Sequence, residues 1–223
     1  DIQGYLTQLT DAVQSDDNVE VFVDARITQV DGFVGNFKTT ISQNGENRIL
    51  EHGVTLIASG ASEFKPDGYL YGQDSRVVTG LELQQRFVDK DPSLGQADTA
   101  VFIQCVGSRI PERPYCSKVC CTQSIKSAMK LKEINPQMNV FVLYRDMRPY
   151  GLREDLYRDA RSAGISFIRY NADKDLNVSN GDEGLKVSFA DRVLGRMMDI
   201  QPDLLVLASA VVPPAENPLA QLY

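Results

Sequence analysis

Four cysteines lie between residues 105 and 121 of this 223-residue chain, as Cys105, Cys116, Cys120 and Cys121, in the pattern C-x10-C-x3-C-C. Thiolates are soft ligands, so four of them converging on one point suit an iron–sulfur cluster or a zinc ion. The spacing matches neither the common ferredoxin run nor paired zinc knuckles, and the adjacent pair is awkward for a compact zinc tetrahedron. Two other readings stand beside the metal one. A low-pKa cysteine with a resolving partner would carry out thiol–disulfide exchange, through Cys116 with Cys120 or through the vicinal pair. Four unconnected thiols would simply pack, since free cysteine behaves as a small hydrophobe. His52 is the one histidine, which leaves little room for histidine-based metal or acid–base chemistry.

The elements that must position these cysteines are legible on both sides. Ala100-Val101-Phe102-Ile103-Gln104 reads as a buried strand closing on Cys105. Beyond Cys121, Ile125, Ala128 and Met129 recur at helical spacing while Lys126, Lys130 and Lys132 fall off that stripe. The spacing predicts a helix over about 118–134, with Ser117 as its N-cap and Asn135-Pro136 as its stop. Cys120 and Cys121 then sit in or near the first turn, where the positive helix end favours thiolate. Arg109, Arg113 and Lys118 flank the cysteines, either as charge compensation for a thiolate-bound cluster or as ordinary surface charge. Tyr115 shields the sulfurs or packs.

Composition narrows the class. Hydrophobic residues make up 43% and charged residues 24% of the chain, ordinary for a globular protein of one large or two small domains. The net charge of −7 argues against nucleic acid as a partner, because phosphate binding needs a basic face. No apolar run approaches the length that spans a membrane, and no signal peptide opens the sequence. Clustered cysteines without a secretion signal point to a reducing, cytoplasmic setting rather than to a disulfide scaffold. The start at Asp1 and the stop after Tyr223 read as a piece of a longer protein.

Along the chain, Ile2, Tyr5, Leu6, Leu9 and Val13 predict a packing helix over 2–14. Strands are expected at 19–23, at 25–30 ending in an Asp31-Gly32 hairpin, at 37–42 before the turn 43–47, and at 54–58 as a buried apolar run. Residues 61–97 read as an irregular crossover with a short helix at 79–87, and Lys90–Asp98 as a domain boundary. From Thr99 the pattern is strand, helix, strand, helix, strand. Its later members are a strand at 139–144, a helix striped by Leu152, Leu156, Ala160 and Ala163 and ended by Gly164, and a strand at 165–169. A small antiparallel excursion over 185–200 turns at Ala190-Asp191, and a last buried strand at 203–208 ends before Pro213-Pro214. This alternation predicts an α/β fold with a parallel sheet. The loop after the first of these strands, from Cys105 to Cys116, is too long for the glycine turn of a dinucleotide site and keeps only Gly107. Arg145 and Arg148 stand where a 2′-phosphate could be read, or serve as solvated helix-end partners.

CVGSR, PYCSKVCC, the following Lys/Ala-rich helix and VLYRDMRPYG together resemble the A-type polypeptide of heterodisulfide reductase and its homologues, among them the related polypeptide of the quinone-interacting oxidoreductase complex of sulfate reducers. GNF at 35–37, LIASGA at 56–61, YLYG at 69–72 and GISFIR at 164–169 fit the same family in the same order. The resemblance covers most of the chain from about Asn18. It implies a thioredoxin-reductase-like flavoprotein. Residues 1–97 would be a partial FAD-domain remnant with a β-meander, 98–212 an inserted Rossmann-like NAD(P)-binding-type domain, and 213–223 a return towards the FAD domain. It implies that Cys105, Cys116, Cys120 and Cys121 ligate one [4Fe–4S] cluster, and that the parent relays electrons between FAD, clusters, partner subunits of a heterodisulfide-reductase-like complex and electron carriers. Ser59 and Gly60 stand where the family has Thr-Gly, and would let backbone approach the flavin. The first FAD motif, G-x-G-x-x-G after a strand, is absent, so this chain alone is not expected to hold FAD.

Overall fold

A computed structural model describes residues 2–170, 176–181, 184–214 and 218–222. By contacts the chain divides into two units, residues 1–60 with 214–223, and residues 61–213.

The first unit begins with α1 (Ile2–Ser15). Three antiparallel strands follow, β1 (Ala25–Phe33), β2 (Asn36–Gln43) and β3 (Glu46–His52). The β1–β2 turn is Val34-Gly35, not Asp31-Gly32: Phe33 pairs with Asn36, so the strand runs through Gly32. Gly32 has φ +97°, and a Cβ there would lie 2.1 Å from the Asn36 carbonyl oxygen. Asn44-Gly45 makes the second turn with both residues at positive φ, as an Asn-Gly hairpin requires. Two expected strands do not form. Residues 19–23 and 54–58 are irregular, and Val54 and Leu56 are 76% and 90% exposed. A continuous apolar strand is stable only when neighbours cover both faces and both edges, and no described strand pairs with 54–58. Sequence also placed no strand at β3.

The second unit is a layered α/β structure. Its five-stranded sheet has the order β5-β12-β6-β7-β8 and is parallel throughout. The members are β5 (Val77–Thr79), β6 (Thr99–Val106), β7 (Asn139–Tyr144), β8 (Ser166–Arg169) and β12 (Leu204–Ser209). A short pair, β4 (Ser62–Glu63) with β13 (Val211–Val212), is antiparallel. Side chains alternate across the central strands. Ala100, Phe102, Leu204 and Val206 face a cluster with Leu83 of α2 (Gly80–Val88), Leu94 of α3 (Ser93–Gln96), Ile125 and Leu131 of α4 (Cys120–Ile134) and Ala160 of α5 (Glu154–Ser162). Val101, Ile103, Leu205 and Leu207 face a second cluster with Leu185, Val187 and Phe189. Those three belong to β10 (Gly184–Asp191), the middle of an antiparallel sheet with β9 (Asn177–Gly181) and β11 (Arg196–Ile200). Each wholly buried side chain of this kind contributes about 1.5–3 kcal/mol.

The parallel α/β architecture is as the sequence predicts. The division falls at Gly60–Ala61, whereas the polar segment Lys90–Asp98 lies inside the second unit. The reason is local: Val77–Thr79 is an edge strand of the same sheet, and α2 and α3 carry Leu83 and Leu94 into its core. The 185–200 excursion is present, but its turn lies at residues 192–195, where Asp191 Oδ1 accepts the Val193 and Leu194 N–H groups. Leu152 is fully exposed in a short 3-10 turn ahead of α5, outside the stripe it was expected to join.

Candidate functional site

The four cysteines gather at the carboxyl end of the parallel sheet. Cys105 is the penultimate residue of β6 and has φ +64°, a left-handed conformation rare outside glycine. Cys116 closes the loop, and its Sγ accepts the Lys118 N–H at 3.4 Å. Cys120 and Cys121 are the first two residues of α4. The Cys120 thiol donates to the Ser209 carbonyl at 3.5 Å, at the end of β12, and the Cys121 thiol to the Asp146 carbonyl at 3.8 Å, just beyond β7. Three adjacent strands and one helix end thus converge on the sulfurs. All four thiols are free and lie within electrostatic reach of one another.

The helix begins later than the spacing predicts. Val119 is its N-cap and offers no side-chain acceptor. Ser117 instead turns its Oγ to the Val211 N–H at 2.9 Å, tying the loop to β13. The open helix end was expected to favour thiolate. Burial wins instead: it pushes the Cys105, Cys121 and Cys120 thiols up, the last to about 11, with the neighbouring sulfurs adding to the shift.

The loop 105–116 is held by its arginines. The Arg113 Nε donates to the Gly107 carbonyl, and the guanidinium stacks 4.1 Å from the centre of the Phe64 ring. Gly107 has φ +74°, and a Cβ there would lie 2.2 Å from the same ring. In a dinucleotide site the turn glycine lets backbone approach a pyrophosphate; here it lets backbone approach Phe64. Arg109 has φ +59°. Its N–H donates to Tyr115 O, Arg145 donates to its carbonyl at 3.1 Å, and its Nη2 meets Asp146 Oδ2 at 2.7 Å. Arg148 and Arg169 reach the same carboxylate at 3.6 and 3.5 Å, and the Arg109 bond leads the effects that hold Asp146 below its usual range. Arg145 and Arg148 therefore serve the cysteine loop. Tyr115 is 41% exposed and donates to Val211 O at 3.3 Å.

Two buried polar groups lack partners among the described residues: the Gln104 side-chain amide, at both its oxygen and its nitrogen, and the Arg109 Nη1. Sequence reading passed over Gln104, which looks like one more strand residue, and over Asp146 and Phe64, whose partners are distant in the chain. Ser59 and Gly60 fall in the other unit from the cysteines, on an exposed, irregular stretch.

No family model matches the chain. Curated relatives do. The A-type polypeptide of the H2:CoB-CoM heterodisulfide,ferredoxin reductase of Methanothermobacter thermautotrophicus is 34% identical over 188 residues, which take in 77% of this chain and 28% of the relative. The A-type iron-sulfur polypeptide of the CoB–CoM heterodisulfide reductase of Methanocaldococcus jannaschii is 32% identical over 192 residues, 79% of this chain and 29% of the relative. This is a heterodisulfide reductase A-like chain. It spans under a third of the length of the curated relatives it matches. Among solved structures, the FAD-bound cadaverine monooxygenase DfoA of Erwinia amylovora matches 99% of this chain and 59% of its own, with TM-score 0.54 and 9% identity. At that identity the likeness concerns the fold, that of flavoprotein oxidoreductases.

In this heterodisulfide reductase A-like chain the donor set at the sheet edge is all sulfur. Among the described residues no three His, Cys, Asp or Glu side chains stand close enough to hold a single metal ion. A four-iron cluster is a wider body than one ion and takes its thiolates further apart, so four soft donors at one end of the sheet, with cationic neighbours, suit it by their chemistry. No helix among the described residues is long and apolar enough to cross a membrane.

Proposed function

We propose that the chain is the electron-relay part of a flavin- and iron–sulfur-dependent oxidoreductase polypeptide of the heterodisulfide reductase A type, with Cys105, Cys116, Cys120 and Cys121 as the thiolate ligands of one [4Fe–4S] cluster. The observation that carries this reading is that β6, the cysteine loop and α4 bring four free thiols to the carboxyl end of the parallel sheet. When bound, the cluster takes up and passes on single electrons. The chain's own groups hold the loop through Arg113, Gly107 and Phe64, keep water from the buried Cys121, and set cationic charge beside the thiolates. Phe64 and the long loop fill the place of a dinucleotide turn, so the sheet edge serves sulfur rather than a nicotinamide nucleotide.

The flavin belongs to the longer protein. Ser59 and Gly60 contribute small residues to its backbone approach there, on a stretch that is irregular and exposed in this chain. The working partners are other subunits of a heterodisulfide-reductase-like complex and soluble electron carriers, in the cytoplasm.

The test is anaerobic reconstitution with iron and sulfide. The expected result is uptake of about four irons per chain, a broad visible charge-transfer band, and an EPR signal after dithionite reduction that Cys120→Ser weakens. No iron uptake, with two thiols cycling reversibly between thiol and disulfide, would overturn the reading in favour of disulfide chemistry.

A further inference from the structure

The cysteine site carries more cationic charge than its contacts use. Asp146 is met by three guanidinium groups, those of Arg109, Arg148 and Arg169. One carboxylate against three guanidiniums, in a chain whose net charge is −7, is a local excess that calls for an anion. The helix end at Cys120 carries no acidic cap, which adds to the same field.

Within this group Arg109 is singled out by what it leaves unmade. Asp146 occupies its Nη2, while the Nη1 is buried without a partner among the described residues. Buried polar groups are almost always satisfied, so an orphan donor marks the place of a missing acceptor. Cys105 is the sulfur this guanidinium acts on, favouring its charged form. Both residues hold left-handed backbone, φ +64° at Cys105 and +59° at Arg109, and such conformations persist where the surroundings over-determine them.

We propose that Arg109 is the positioning residue that donates an outer-sphere hydrogen bond to cluster sulfur at Cys105 and thereby raises the cluster's reduction potential, with Asp146 fixing the angle of its guanidinium. This deepens the cluster reading above and rests on it. A thiolate or sulfide that accepts a hydrogen bond from a cation donates less electron density to iron, and a more anionic reduced state is stabilised more than the oxidised one. Arg169 reaches the same carboxylate at 3.5 Å and is half exposed, so it reports charge without contact to sulfur.

The experiment is a redox titration and resonance Raman spectrum of the anaerobically reconstituted chain, beside Arg109→Gln, Arg109→Lys and Arg169→Gln. Arg109→Gln is expected to lower the midpoint potential by more than Arg169→Gln does, and to move the Fe–S(thiolate) stretching band upward at unchanged iron content. Arg109→Lys keeps the charge but loses the fork, and should recover only part of the potential. Equal midpoints for Arg109→Gln and Arg169→Gln, both fully loaded, would overturn the proposal while leaving the cluster intact. Should the Gln variant load less iron, the Lys variant decides: a midpoint and Raman band indistinguishable from the parent's overturn the proposal. A parent chain that takes no iron overturns the cluster reading and this one with it.

Discussion

At the scale of single residues, Gly107 and Gln104 make opposite predictions. Gly107 combines positive φ with a Phe64 ring 2.2 Å from where a Cβ would stand. Gly107→Ala adds backbone strain of about 1–2 kcal/mol and a steric conflict on top, so a loss on the order of 2–3 kcal/mol is expected in urea unfolding. Phe64→Ala in the same chain removes the conflict but not the strain. The double variant should therefore lose less than the two single losses summed, and strict additivity would refute the close approach. Gln104 is 1% exposed, with both ends of its amide unpartnered among the described residues. Gln104→Met keeps the length and removes two buried polar atoms. It is expected to stabilise the metal-free chain by about 1 kcal/mol, since an unsatisfied buried group costs about 1–3 kcal/mol. A destabilised variant would mean that the amide has a partner in solution.

At the scale of elements, α2 shows how a helix end is set by groups remote in sequence. Thr79 caps it in a reciprocal box with Glu82, and Glu63 accepts from Thr79 Oγ1 at 2.6 Å and from the Leu81 N–H at 3.0 Å. Burial works against the Glu82 charge, but the Tyr71 hydroxyl, the Thr79 N–H and Lys65 together hold its carboxyl below 4.5. A carboxyl depressed by folding adds stability that is complete above its ordinary value and is lost as pH falls through the lower folded value. Glu82→Gln is thus expected to cost about 1 kcal/mol at pH 7, with the gap to the parent closing as unfolding is repeated from pH 5 down to pH 3. A gap that stays constant over that range would show that the charge is not what matters. Legibility followed the same logic of local against remote cause. β6, β7 and β12 are long apolar runs whose two-sided burial is written in their composition, and α4 announces itself by its stripe. β5 and β9 are short, and what makes them strands is the edge they join. The run 54–58 has the composition of a buried strand, yet composition cannot supply the neighbours that such a strand needs. The four cysteines were legible as a group. Arg109 and Arg113 were legible as their charged flanks, but Asp146 and Phe64 were not, because they meet the loop only through the fold.

At the scale of the whole molecule, the two units differ in how much they bury. Among the described residues of the first unit only Thr39 and Ile41 are buried. The α1 residues Tyr5, Leu6, Leu9 and Val13 are all 45% exposed or more, so the packing face expected of that helix is uncovered by the described chain. The second unit has apolar clusters on both faces of its central sheet. Stability is local where few apolar contacts protect the backbone and global where many do. Limited proteolysis with a broad-specificity enzyme should therefore cut first around residues 54–60, where the chain is irregular and mostly exposed. It should leave a resistant product close to residues 61–213 that retains all four cysteines. If that product, once isolated, still takes up iron and sulfide, the relay chemistry resides in the α/β unit alone. Digestion of both units at one rate would mean that they unfold together, and that the two-sided core does not stand by itself.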